Sequence, residues 1–130
     1  MGLADDLKTF YTASWDTSII AKPTFKVPPN FPNNHVPGVM IIDDRFAGNW
    51  LPINADGLTD TQVEPFELTV CAANETDAIK YIRAAKKVTN SYAQTNGQIK
   101  LRTFLKKEES KITIVTLTGD RRTVKGVDEF

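Results

Sequence analysis

Two stretches of the chain place hydrophobic residues at every third or fourth position, which predicts two amphipathic helices. The first covers residues 3–15, with the apolar face Leu3, Leu7, Phe10, Tyr11 and Trp15. The second runs from residue 75 to about residue 93, with the buried stripe Ala78, Tyr81, Ile82, Ala85, Val88 and Tyr92. Asn74 precedes this helix as a preferred N-cap residue, and Asn96-Gly97 ends it.

Shorter apolar or alternating runs predict the strands, which lie at residues 24–27, 38–45, 49–51, 63–73, 98–107 and 111–118. The last two flank a predicted turn at residues 107–110 and therefore form a β-hairpin. In the first strand of this hairpin, alternation places four residues on one face: Ile99, Leu101, Thr103 and Leu105.

Proline, glycine and asparagine mark the predicted loops. Residues 28–37 contain four prolines and three asparagines and predict an exposed loop. Residues 46–62 are predicted to be irregular, apart from the short strand within them. Gly119-Asp120 predicts a further turn, followed by an edge strand or a tail over residues 122–127.

The order of these elements, α-β-β-(β)-β-α-β-β, predicts an α+β fold: a small antiparallel or mixed β-sheet with two helices packed on one face. The 130 residues, of which 41% are hydrophobic, suit one globular domain, here residues 1–130. No apolar run approaches the ~20 residues that cross a bilayer. The acidic N-terminus also differs from a signal peptide. We expect a soluble protein that is made in a cytoplasm and does not bind membranes.

The residue types that most often carry chemistry are scarce. Cys71 is the only cysteine and His35 the only histidine, which excludes an intramolecular disulfide and a cysteine-rich metal site. Cys71 lies in a predicted buried strand, where we expect a small core residue, and His35 lies in a predicted loop. Asp43 and Asp44 are neighbours in a strand and therefore point to opposite faces, which does not suit joint binding of one ion. We expect no catalytic residue, no metal and no cofactor, and hence no enzyme.

The net charge is zero, but acidic and basic residues are distributed unevenly. Residues 1–77 hold eleven acidic and four basic residues, a net charge of −7. Residues 78–130 hold twelve basic and five acidic residues, a net charge of +7. Two interpretations remain open: a mixed, solvated surface, or a subunit whose acidic face meets the basic face of its neighbour.

Nucleic-acid binding by the basic C-terminal half is a third interpretation. The isoelectric point near 6.6 argues against it, because such domains are usually strongly basic. Stacking platforms are also scarce, since Phe104 is the only aromatic residue expected to point outward beside those charges. A small nucleic-acid-binding α+β domain is therefore the alternative to a protein-binding domain.

The layout resembles the tail-terminator and tail-completion (neck) proteins of long-tailed phages and related archaeal viruses. The similar features follow one another along nearly the whole chain. They are the N-terminal helix, the Ala-Lys-Pro-Thr-Phe strand at residues 21–25, the Gly-Val-Met-Ile-Ile strand at 38–42, the strand-to-helix junction at 67–77 and the closing hairpin.

This resemblance implies a non-enzymatic virion protein that forms a ring, typically a hexamer, on the last ring of the tail tube and joins the tail to the neck. Its implied partners are other copies of the chain, the tail tube protein and a neck or connector protein. Its implied location is the tail or neck of the virion. A closed ring needs two different patches on each subunit, to which unevenly placed charges are suited. The other placement for basic residues is a lumen through which DNA passes.

Eight charged residues are accordingly candidates for a subunit interface or a lumen: Lys86, Lys87, Lys100, Arg102, Arg121, Arg122, Asp43 and Asp44. If assembly uses the basic ones, charge reversal at Lys86, Lys87, Arg121 or Arg122 is predicted to change the oligomeric state and leave the fold intact. If nucleic-acid binding uses them, the same changes are predicted to remove a salt-dependent affinity.

Overall fold

A computed structural model of the protein describes residues 2–45, 49–51, 59–96, 98–109 and 111–126. Within these residues, two helices and six strands follow one another along the chain. They are α1 (Leu3–Ser14), β1 (Thr24–Lys26), β2 (Val39–Asp43), β3 (Asn49–Leu51), β4 (Thr59–Ala72), α2 (Glu75–Asn96), β5 (Gln98–Glu109) and β6 (Ile112–Gly126).

The strands form one mixed sheet in the order β1-β2-β4-β6-β5. β1 runs parallel to β2, and the other pairs are antiparallel. β3 pairs with β4 on the same side as β2 but nearer the start of β4. The predicted hairpin is confirmed as β5–β6, and its turn includes Lys111 with a positive φ of 66°.

One hydrophobic core lies between the helices and a single face of the sheet. Cross-strand neighbours such as Met40, Val70 and Val115 line that face and are buried together with Leu7 of α1 and Ala84 of α2. The predicted α+β fold, with two helices on one face of a small mixed sheet, is therefore confirmed.

The predicted turn at Gly119-Asp120 is wrong, because β6 continues through both residues to Gly126. Gly119 pairs with Phe66 of β4, and Asp120 pairs with Pro65. β4 likewise begins at Thr59, within the stretch predicted to be irregular. Each long strand supplies a continuous partner for the other, so ladder pairing outweighs the local turn preference of a Gly-Asp pair.

Pro65 is accommodated in β4 because one side of the strand has a gap at that position. On that side β2 pairs with residues 67–71 and β3 with residues 61–63. Among the described strands, none pairs with residues 64–66 there. A proline has no N–H to donate to a ladder, so it suits a position without a neighbouring strand.

The alternation predicted for β5 holds only as far as Leu101. Ile99 pairs with Arg121 and Leu101 with Gly119, but Thr103 pairs with Thr118. Arg102 is the extra residue of a β-bulge. Because a bulge adds one residue to a strand, the residues after it are shifted by one position against the partner strand. The backbone register therefore shifts by one residue, and the predicted unbroken alternation of this strand is interrupted at residue 102. The sequence contains no glycine or proline at residue 102 that would have marked the bulge.

A buried hydrogen bond joins the two helices. The Tyr11 and Thr89 hydroxyl oxygens are 2.6 Å apart, and both side chains are buried. The Thr89 hydroxyl donates to the Ala85 carbonyl oxygen at 2.8 Å, so Tyr11 is the donor to Thr89. Burial also raises the pKa of Tyr11, which keeps the hydroxyl protonated and able to donate.

We expect Tyr11→Phe to lower the free energy of unfolding by about 1 kcal/mol, because it removes this hydrogen bond but keeps the ring. Urea denaturation followed by circular dichroism would measure the loss as a lower midpoint at an unchanged slope. Thr12→Ala, at the exposed neighbouring position, is a control expected to change stability by less than about 0.5 kcal/mol. Equal stability of Tyr11→Phe and the wild type would contradict the assignment.

Candidate functional site

The adjacent carboxylates Asp43 and Asp44 contact different parts of the chain. Asp43 accepts hydrogen bonds from the Arg45 guanidinium at 3.0 and 3.1 Å, and these hold its pKa below the usual range. Asp44 accepts the backbone N–H of Ala4 at 2.9 Å. It therefore caps the N-terminus of α1, where Gly2 has no side chain to do so. The two carboxylates do not converge on one site.

Arg121 lies at the centre of a polar cluster on the helix-covered side of the sheet. Its guanidinium donates to Glu64 Oε1 at 2.9 and 3.1 Å and to the Tyr92 hydroxyl at 3.1 Å, and it contacts Asp6 at 3.4 Å. Burial opposes the charge of Arg121, but the hydrogen bonds outweigh this effect and raise the pKa of the guanidinium. The cluster links β4, β6, α1 and α2, so Arg121 serves the fold of its own subunit.

Two more of the basic candidates form ion pairs within the chain. Lys87 of α2 pairs with Asp16, which follows α1, and Arg122 pairs with Asp120 at 3.3 Å. The side chain of Lys87 remains 64% exposed, so it is still accessible to a partner. The side chain of Asp120 is only 12% exposed, so its pair with Arg122 is more enclosed.

The pair between Asp16 and Lys87 predicts a defined acid sensitivity. Hydrogen bonds from Lys87 and Ser18 lower the pKa of Asp16 from its ordinary value of 3.8 to about 2. A carboxylate with a depressed pKa stabilises the fold above the unfolded-state pKa and loses that contribution as the pH falls through the folded-state pKa. We expect Asp16→Asn to remove the part of the acid destabilisation that occurs between pH 3.8 and about 2. Urea midpoints at pH 5, 3 and 2 would measure it, and parallel curves for variant and wild type would refute it.

An apolar groove lies between α2 and the start of β6. Its volume is about 320 Å³, and its lining consists of Glu75, Ala78, Ile79, Ile82, Lys86, Thr113 and Val115. Ile79 is 48% exposed although it is a large hydrophobic residue. Lys86 is exposed at one end of the groove and Glu75 at the other. The groove is therefore an apolar surface between charges of opposite sign.

Sequence reasoning identified Lys86 but missed the groove itself. Ile79 falls outside the predicted buried stripe of the second helix, and this was the available signal that its side chain lacks a partner within the helix–sheet core. Val115 and Thr113 join Ile79 only because β6 begins beside the first turns of α2. The order of hydrophobic and polar residues does not indicate that β6 begins beside α2.

The face of the sheet opposite the helices also buries a few residues. Val39, Cys71 and Ile114 are cross-strand neighbours there and are at most 8% exposed. The prediction that Cys71 is a small buried residue is confirmed, and burial raises the pKa of its thiol. His35 is exposed in the loop between β1 and β2, whereas Cys71 is fully buried. A cysteine–histidine pair is therefore not formed.

For Lys100 and Arg102 the structure gives the backbone position. Lys100 pairs in register with Asp120, and Arg102 is the bulged residue of β5. The described residues contain no group of three or more side chains with the ligand types and spacing of a metal site. Neither helix in the described part of the chain combines the length and apolar character required to cross a membrane.

Comparison with models of known protein families and with curated proteins finds no match.

Proposed function

We propose that this protein is a non-enzymatic virion assembly protein, a tail terminator or tail-completion protein that forms a ring on the tail tube and joins it to the neck. The observation that carries the proposal is the open apolar groove of α2 and β6, which is flanked by Lys86 and Glu75. A contiguous apolar surface with a polar rim is a feature of protein-binding and ligand-binding sites. The order of elements, which resembles that family, supplies the biological setting.

The charged candidates limit how such a ring is held together. Arg121, Arg122 and Asp43 make contacts within their own subunit, and Asp44 caps α1. Lys86 is exposed beside the apolar groove, and among the described residues it makes no ion pair within its subunit. We therefore place the subunit contact at the groove, with Lys86 as its charged margin. Interfaces commonly have this arrangement of an apolar centre and a polar rim.

The chemistry of the described residues supports a binding role. The side chains of Tyr11, Thr89 and Arg121 form hydrogen bonds that join the helices to each other and to the sheet. The groove is lined mainly by apolar side chains and by the single hydroxyl of Thr113. Its charged residues, Glu75 and Lys86, stand eleven positions apart on α2. That is about three helical turns, roughly 16 Å, which is too far for joint acid–base work on one bond.

A nucleic-acid-binding domain is the second candidate, and one observation favours it. Lys80, Arg83 and Lys87 are exposed on α2 at intervals of three and four residues, so they form a row on one side of the helix. Such a row suits contacts with a phosphate backbone. The pairing of Lys87 with Asp16 and of Arg121 with Glu64 reduces the positive charge available beside it.

Light scattering across protein concentration and salt distinguishes the two candidates. A ring predicts one mass that is a fixed multiple of the 14.5 kDa chain and does not grow with concentration. A series of increasing masses, or a monomer throughout, would contradict it. Binding to a labelled DNA duplex, measured by anisotropy at two salt concentrations, tests the alternative. An affinity that falls with salt and weakens in Arg83→Glu would favour nucleic-acid binding.

A further inference from the structure

Two large hydrophobic side chains of the described residues are about half exposed, Val36 at 49% and Ile79 at 48%. Ile79 is part of the groove wall, whereas Val36 projects from the loop between β1 and β2. An exposed apolar side chain and an apolar groove are complementary in chemistry. Their relative position decides whether Val36 and the groove meet within one subunit or between two subunits.

They lie at the same end of the molecule but on opposite sides of α2. The backbone N–H of Gly38, two residues after Val36, donates to the Cys71 carbonyl at 2.8 Å, close to the start of α2. A Cβ atom at Gly38 would stand 3.9 Å from the Tyr81 hydroxyl, which places this end of the loop on the Tyr81 side of the helix. Ile79 and Tyr81 are separated by about 200° around the helix axis. Val36 is therefore on the far side of α2 from the groove in its own subunit.

We propose that Val36 of one subunit inserts into the Ile79 groove of a second copy of this chain. This inference rests on the proposed ring and identifies its subunit contact. A contact between two different patches of the same chain is heterologous, and its repetition closes a ring when the rotation from one subunit to the next is a whole fraction of a full turn. Because the two patches flank one helix, each subunit offers one to each neighbour.

The groove and the loop match in size and charge. A volume of about 320 Å³ is at the lower end for a binding cavity and suits one or two side chains better than a large ligand. Residues 33–37 (Asn-Asn-His-Val-Pro) contain no carboxylate, lysine or arginine. Their approach therefore creates no repulsion with either Glu75 or Lys86, and their amide side chains can hydrogen-bond with both.

The loop is also held in place before any partner binds. The Phe31 ring lies 4.6 Å from the Arg45 guanidinium, and Arg45 is in turn paired with Asp43. At the other end, Gly38 bonds to both Thr24 and Cys71. A loop that is anchored at both ends loses less conformational entropy on binding than a free one. Val36 is thus suited to act as the anchor residue of a larger interface.

The test uses Val36→Asp and Ile79→Asp, with Asn30→Asp and Asn90→Asp as matched controls. The controls introduce the same charge at exposed positions in the same loop and the same helix. We expect each test variant to weaken self-association at least ~10-fold in light scattering. Unchanged circular dichroism would show that they fold, and both controls should assemble like the wild type.

A mixture of the two test variants gives the sharper result. Val36→Asp retains a working groove and Ile79→Asp retains a working Val36, so an equimolar mixture can form one intact contact but cannot close a ring. We expect a 1:1 dimer of 14.5 kDa chains, while each variant alone is monomeric. Variants that still assemble, or a mixture that stays monomeric, would contradict the contact between Val36 and the Ile79 groove but would not contradict the ring. A wild type that is monomeric at every concentration would overturn both.

Discussion

Arg121→Met is expected to lower the free energy of unfolding by about 2–3 kcal/mol, although a basic surface residue would ordinarily tolerate this change. The Arg121 side chain is only 18% exposed and holds Glu64, Asp6 and the Tyr92 hydroxyl together. Methionine keeps much of the aliphatic volume but leaves the carboxylate of Glu64, itself 25% exposed, without its cation. Urea denaturation at neutral pH would measure the loss.

Two comparisons make this result specific. Lys86→Met removes a positive charge from an exposed position, and we expect it to change the free energy of unfolding by less than about 0.5 kcal/mol. Glu64→Gln should lower the free energy of unfolding less in the Arg121→Met background than in the wild type. In that background the Glu64 carboxylate has already lost the Arg121 guanidinium. Stability of Arg121→Met within about 0.5 kcal/mol of the wild type would show that the cluster is dispensable.

Charge reversal at Arg121, which the sequence suggests as a test of assembly, affects the stability of the fold as well. A glutamate at residue 121 would face Glu64 and Asp6, so we expect it to unfold the domain and not merely to alter assembly. Lys86 is the candidate at which reversal tests assembly with the least effect on the fold. Loss of the oligomer in an Arg121 variant would therefore say little about the subunit contact unless folding were measured as well.

The helices and most strands are predictable because their signals are local. The spacing of Leu3, Leu7 and Tyr11 marks α1, and the hydrogen bond from the Asp77 N–H to Asn74 Oδ1, at 2.8 Å, confirms the predicted N-cap of α2. Patterns of this kind depend on residues within one or two turns of each other. The helix positions therefore agree with the structure to within a few residues.

The errors arise where a distant partner determines the local structure. Gly119-Asp120 has the composition of a turn, but Phe66 and Pro65 pair with it across the sheet. The bulge at Arg102 likewise depends on the register with β6, which the sequence of β5 does not encode. Non-local pairing outweighs local preference in both places.

The candidate site is predictable only in part, because the distribution of charge along the chain differs from that in the folded structure. Net charges of −7 and +7 for the two parts of the sequence suggest separate acidic and basic faces. In the folded chain Arg121 meets Glu64, and Lys87 meets Asp16, so part of this asymmetry is neutralised inside one subunit. Charge counts along a chain do not show which charges become neighbours. Ile79, an apolar residue outside the buried stripe, is the sequence signal that corresponds to the apolar groove.

Phe66→Ala is expected to have the largest effect of the changes considered, a loss of about 3–5 kcal/mol in the free energy of unfolding. Phe66 is 1% exposed, and its cross-strand neighbour is Gly119, which has no side chain to fill the space that the ring would leave. An aromatic ring opposite a glycine in a sheet commonly covers that glycine. The loss would be a large fraction of the total stability of a domain of this size. Thermal and urea denaturation would both detect it.

Phe66→Leu, which retains more of the volume, should cost only about 1 kcal/mol and serves as the control. The ring also stands next to the polar cluster, because Phe66 and Glu64 pair with Gly119 and Arg121 on the same side of β4 and β6. Removal of the ring should admit water to the Arg121–Glu64 pair and weaken it. We therefore expect the losses from Phe66→Ala and Arg121→Met to combine to less than their sum, by at least ~0.5 kcal/mol. Strict additivity would mean that the ring and the ion pair stabilise the sheet independently.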